Sequence, residues 1–162
     1  MDPLSITARL LQQLFTVSRT IVRYVDQVRN PDKRVTVGCL GIEIDTLSMH
    51  LKAFDNTLKD QISSYSRSQF SEGDAKYLEC VHVSIRYCQQ TIQSLEEVLK
   101  EDMDSRNGIW NKWTRPIKRS LKEDEIAMYT QQIESYRQTI WLAMQWMSLY
   151  FPPVLSMGRT FG

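Results

Sequence analysis

The sequence predicts an all-α fold: an antiparallel four-helix bundle of long helices, with one short extra helix before the last long one. Three observations lead there. Apolar residues recur at alternating spacings of three and four along four separate stretches, the pattern that gathers side chains on one face of an α-helix. The 6 Gly and 5 Pro fall mostly between those stretches, where breakers separate helices rather than interrupt them. A chain of 162 residues with 42% hydrophobic and 24% charged side chains can bury a core of its own and lacks the composition of a disordered polymer.

The first helix is expected from Pro3, with Asp2 as its cap, because proline suits the first helical turn and a carboxylate suits the positive end of the macrodipole. Leu4, Thr7, Leu11, Leu14, Ser18, Ile21, Val25 and Val28 form its stripe. Ile6, Leu10, Phe15, Val17 and Val22 add apolar surface beyond one packing face, while Arg9, Arg19 and Arg23 lie elsewhere on the wheel. At ~1.5 Å per residue the helix is long enough to cross the ~30 Å core of a bilayer, although three arginines oppose insertion as a simple span. Asn30-Pro31-Asp32 ends it.

The second helix is expected from about Asp32, on the stripe Val37, Leu40, Ile44, Leu47, Leu51, Phe54, Leu58 and Ile62. Gly38 and Gly41 lie inside it, each costing about 1 kcal/mol of helix propensity and so implying close helix packing or a local irregularity. The β-branched run Val35 to Val37 weakens its start. Ser63 to Gly73 is serine-rich and reads as a loop.

The third helix is expected from about Asp74 to Met103, on Leu78, Val81, Ile85, Cys88, Ile92, Leu95 and Leu99. Its acidic end, Glu96 to Asp104, opposes the macrodipole and calls for a nearby cation. The following segment, Ser105 to Lys122, is the expected source. It carries Arg106, Lys112, Arg115, Lys118, Arg119 and Lys122, no acidic residue, and Trp110 and Trp113. A loop with a short helix is expected here. The last long helix should begin near Ser120, where Ser120 and Glu123 have capping-box spacing. Its stripe is Ile126, Tyr129, Ile133, Tyr136, Ile140, Ala143 and Met147. No charge occurs from Gln138 to Gly158, and Pro152-Pro153 ends the helix. The bundle is therefore expected over residues 1–151 and a frayed tail over 152–162.

Catalytic or metal chemistry is not legible in the chain. Cys80, His82 and Cys88 are the strongest ligand candidates, but residues two apart on a helix face away from each other and residues eight apart are more than two turns distant. Cys88 lies on the core stripe, where a small buried hydrophobe belongs, and His50 is expected on a solvated face. No zinc spacing, glycine-rich phosphate loop or nucleophile elbow occurs. We therefore expect no catalytic residue, no cofactor, no metal and no small-molecule substrate. The net charge of +1 implies no global attraction to nucleic acid. Cys39, Cys80 and Cys88 are too few for a disulfide framework. The opening residues lack a secretory-signal pattern, and Asp2 is incompatible with myristoylation. A cytoplasmic protein is expected, peripheral to membranes at most on activation.

Two segments are candidates for binding. Trp110, Lys112, Trp113, Arg115, Lys118 and Arg119 combine cations with amphipathic rings. That combination suits a lipid headgroup layer, a single-stranded nucleic acid, or a plug over the bundle end that balances the acidic helix terminus. Trp146, Tyr150 and Phe151 form an aromatic patch at the end of the last helix, which is otherwise expected to be a buried terminal helix.

The opening Met1-Asp2-Pro3-Leu4-Ser5-Ile6-Thr7-Ala8 resembles the start of the N-terminal domains of fungal STAND, or NOD-like, receptors of the HeLo-like group. Tyr24-Val25-Asp26-Gln27-Val28 and the charged turn Asn30 to Arg34 fit the same pattern. So do Lys112-Trp113, Pro116 and Lys118, then Glu125-Ile126 through Ile133-Glu134 to Leu142-Ala143-Met144. The resemblance runs to about Gln145, with a last helix richer in tyrosine and tryptophan than the family's leucine- and lysine-rich one. It implies a helical signalling module of fungal non-self recognition and programmed cell death, in which oligomerisation releases the first helix onto a membrane. Leu4, Ile6, Leu10, Leu11, Leu14 and Phe15 would then be the membrane-engaging residues and the basic tryptophan segment a headgroup contact. The expected partners are a second copy or another helical protein, and an anionic membrane surface. A helical adaptor that binds a protein and never meets lipid is the alternative.

Overall fold

The structure, a computed structural model, describes residues 3–64, 72–106 and 120–150. Within them the chain forms four long helices and no strand: α1 (Pro3–Gln27), α2 (Pro31–Ser64), α3 (Glu72–Arg106) and α4 (Glu123–Tyr150). The short extra helix expected between α3 and α4, the tail beyond Tyr150 and the cap at Asp2 lie outside the described residues.

Local chemistry sets the helix ends. Asn30 caps α2: its Oδ1 accepts from the N–H groups of Asp32 at 3.0 Å and Lys33 at 3.3 Å, with Pro31 at the first helical position. That cap carries α2 through Val35 to Val37 despite their propensity. α4 starts later than the Ser120 box predicts. Glu125 Oε2 reaches back to the N–H of Lys122 at 3.1 Å, and Leu121 and Ile126, at the flanking positions of a hydrophobic staple, are both buried. The Ser120 hydroxyl is engaged elsewhere, accepting from Lys33 Nζ at 3.1 Å.

Each helix packs on two others: α1 on α2 and α3, and α4 on α2 and α3. Among the described residues the backbones of the diagonal pairs α1/α4 and α2/α3 do not approach closely, and α2 and α3 meet through side chains. Directions follow from the cross-links. Ser18–Asp45 and Arg34–Val25 make α1 and α2 antiparallel. Ser94–Tyr129 and Thr91–Tyr136 do the same for α3 and α4. The Glu43–Arg137 and His50–Trp141 contacts rise together along α2 and α4, which are therefore parallel neighbours. Direction alternates along the chain, as in any up-down bundle, but helices consecutive at α2 and α3 sit on a diagonal.

This placement corrects the reading of α1. A helix wedged between two neighbours buries a broad face. The α1 core is Ile6, Leu10, Leu14, Val17, Ile21 and Tyr24, continued by Val28, while Leu11 and Val25 of the expected stripe are only partly buried. Ile6, Leu10 and Val17 are thus core residues rather than surplus surface; of the expected extra face only Phe15 and Val22 stay outside. The α2 stripe from Val37 to Leu58 and the α4 stripe fall inside as expected, with Tyr136 at the core's margin, and Leu78 is only partly buried on α3; the side chain of Ile62 lies outside the described residues. Gly41 sits where a Cβ would lie 3.1 Å from Cγ2 of Ile21, so it allows α1 and α2 to approach. Gly38 has open space around it, and nothing in its surroundings requires glycine.

Candidate functional site

The most organised polar group lies where the C-terminal ends of α1 and α3 meet the N-terminus of α2 and the lead into α4. Tyr24 donates its hydroxyl proton to Asp102 Oδ2. Lys33 Nζ lies 3.6 Å from the same oxygen and donates to Ser120 Oγ. Tyr24, Lys33 and Asp102 are all buried. Lys33 occupies the first turn of its helix and Asp102 the last turn of its own, so each charge opposes its helix dipole and each relieves the other. One cation at Asp102 therefore comes from α2; residues 107–119 of the basic segment to which the sequence pointed lie outside the described residues. The clue was legible: Asp102 continues the spacing of Leu95 and Leu99, and a charge at a core position needs a partner. This group ties three helices together with its buried charges turned on each other, so it is a structural latch.

The ligand candidates read from the sequence, Cys80, His82 and Cys88, are placed apart. Cys80 is exposed, His82 faces Arg86 at 3.4 Å, and Cys88 is buried. Burial pushes the Cys88 thiol up to about 12, which keeps it protonated and unreactive. Tyr77 is also raised, first by burial and then by the neighbouring Cys80. No cluster of metal-ligating side chains occurs among the described residues. His50 is not on a solvated face as expected. It is partly buried between α2 and α4, its ring 5.7 Å from that of Trp141. With Arg137, Gln138 and Trp141 it lines a shallow depression of about 200 Å³. Arg137 Nε lies 3.3 Å from Glu43 Oε2, close enough for an ion pair but poorly aligned for a hydrogen bond.

Apolar surface is the other feature. On α2, Val35, Ile42 and Met49 are 66%, 65% and 69% exposed and recur every seven residues. On α1, Phe15 and Val22 are exposed, with the Arg19 guanidinium 5.7 Å from the Phe15 ring centre. On α4, Trp141, Leu142 and Leu149 are exposed, and a shallow groove of about 510 Å³ runs past Trp141, Met144, Gln145, Ser148 and Leu149.

The sequence-predicted residues are divided by this arrangement. Ile6, Leu10 and Leu14 are in the core, Leu11 is partly buried and Phe15 is exposed; the side chain of Leu4 lies outside the described residues. Trp146 is not a free contact residue: it packs on Tyr77 at 4.5 Å between ring centres. Among the described residues the exposed aromatic of α4 is Trp141 instead. Trp110, Lys112, Trp113, Arg115, Lys118, Arg119 and Phe151 lie outside the described residues, as does the side chain of Tyr150. No described helix is long and apolar enough to cross a membrane.

No protein-family model, curated protein or solved structure matches the chain.

Proposed function

We propose that this protein is a non-enzymatic helical interaction module that works by self-association, in signalling of the fungal non-self-recognition and cell-death type. One observation carries the first part. The bundle encloses its core among four helices and still presents apolar side chains in lines on its outside, with Val35, Ile42 and Met49 on α2 the most regular. Ordered apolar lines of this kind are characteristic of surfaces that meet another protein. The resemblance of the opening residues and of the α4 region to HeLo-like domains supplies the biological setting. Sedimentation velocity tests the reading. A concentration-dependent shift from monomer to a defined oligomer is expected below ~1 mM, and a single monomeric species throughout that range refutes it.

Membrane engagement by α1 is the second reading, favoured by exposed Phe15 and Val22 on the same helix as Arg19. Releasing α1 would expose Ile6, Leu10, Leu14, Val17, Ile21 and Tyr24. At ~1.5–3 kcal/mol for each large apolar side chain, that costs on the order of 10–20 kcal/mol, comparable with or above the total stability of about 5–15 kcal/mol typical of a domain. Release therefore requires compensation by assembly or by the bilayer itself. A covalent lock supplies the test. The close approach of the α2 backbone at Gly41 to the Ile21 side chain suits an Ile21→Cys/Gly41→Cys disulfide. In a variant with the native cysteines replaced, reduced protein should release dye from anionic vesicles and oxidised protein should not. Equal behaviour of the two forms excludes release of α1.

A further inference from the structure

The line Val35, Ile42, Met49 on α2 is one half of a regular seam. Cys39, Thr46 and Ala53 interleave with it at alternating spacings of four and three, and Asn56 follows. Cys39 and Ala53 are exposed and Thr46 is partly so. From Val35 to Asn56 this seam bears no charge, although α2 carries charged residues on its flanks. Spacing of this kind, at about 3.5 residues per repeat, is that of a helix facing a second helix. Yet α2 has already turned its other, fully apolar stripe to the core.

We infer that the seam is a two-fold interface at which α2 pairs antiparallel with α2 of a second copy of this chain, in the register that sets Asp45 against Lys52 of that copy. This rests on the self-association reading above and names the surface that performs it. Charge complementarity selects the occupant and the register. Asp45 and Lys52 are both exposed, seven residues apart on the same flank of the seam. When Thr46 opposes Met49 of the second copy, Ile42 opposes Ala53 and Cys39 opposes Asn56, and the two-fold axis repeats each pairing. In this register each Asp45 meets a Lys52, giving two opposite-charge pairs. On the other flank Glu43 comes opposite His50, although Glu43 is also held by Arg137. Sliding by one heptad in one direction sets Asp45 against Asp45 across the axis. Sliding in the other sets Lys52 against Lys52 and places Ile42 on Asp60. Flanking charges commonly set orientation and register in this way, because like charges brought together oppose the wrong alignment.

The experiment combines charge reversal with cross-linking in the full chain. Lys52→Asp should raise the dimer dissociation constant roughly tenfold at low salt, and Asp45→Lys/Lys52→Asp should restore it to within about threefold. Ile42→Lys, at an exposed position and so without consequence for the core, should weaken the dimer by at least ~30-fold; circular dichroism melts check that each variant is folded. With Cys80 replaced by serine, Asn56→Cys should oxidise to an intermolecular disulfide with Cys39. Native Cys39 should not couple to itself, because the register separates the two copies of Cys39 by ~25 Å along the seam. A dimer that ignores Lys52→Asp and Ile42→Lys overturns this interface while leaving self-association standing. A Cys39–Cys39 disulfide in the native dimer overturns the antiparallel register. A chain that stays monomeric overturns both the interface and the reading it rests on.

Discussion

Replacing Asp102 with alanine should be among the most destabilising single changes in this protein. The carboxylate is 2% exposed, accepts from Tyr24, and faces Lys33, whose side chain is 10% exposed. Removing it leaves a buried ammonium at a helix N-terminus with Ser120 as its remaining described partner. Breaking a buried pair from one side typically costs about 3–5 kcal/mol, because the surviving charge stays desolvated. For a chain of this size that corresponds to a fall in melting temperature of roughly 6–20 °C. Asp102→Asn should cost less, since its amide oxygen still accepts from Tyr24 and only the charge attraction is lost. The double variant Lys33→Met/Asp102→Leu should recover much of the loss, because no charge is then left buried. Urea denaturation followed by circular dichroism measures all three. The reasoning fails if Asp102→Ala costs under about 1 kcal/mol, as an exposed pair would, or if the double variant is less stable than Asp102→Ala.

Further outcomes follow from the core. Gly38→Ala should stabilise by about 0.5–1 kcal/mol in the same denaturation assay, because the helix gains propensity and the Cβ meets open space. Gly41→Ala should instead lose stability by up to ~2 kcal/mol, its propensity gain outweighed by overpacking against buried Ile21. Cys88 gives a pH signature: its folded pKa is raised, so the stabilisation is complete below the unfolded value of 9.0 and is lost as pH climbs from there toward about 12. Denaturation midpoints at pH 8 and pH 10 should show wild type losing ~1 kcal/mol more than Cys88→Ala; equal losses contradict the assignment. In the native protein a thiol reagent should label Cys39 and Cys80 rapidly and Cys88 only on unfolding.

The amino-acid sequence by itself determined the four helices, because a period of about 3.6 residues needs no knowledge of neighbours to be read. Val37 to Leu58 on α2 and Ile126 to Met147 on α4 were legible as stripes for that reason, and Cys88 as a buried thiol. What the tertiary structure decided was how wide each face is and which residue sits at its centre. α1 packs against two helices, so Ile6, Leu10 and Val17 became core although a single stripe already satisfies the period. The need of Asp102 for a partner was legible, but that the partner is Lys33 was not, because the two lie on helices far apart in the chain and only the tertiary fold brings the two opposing dipole ends together. The seam on α2 divides the same way. Its spacing was present in the residues all along, but a helix with two apolar stripes does not announce which of them the bundle will use. Packing chose Val37, Leu40 and Ile44, and by doing so left Val35, Ile42 and Met49 facing outward.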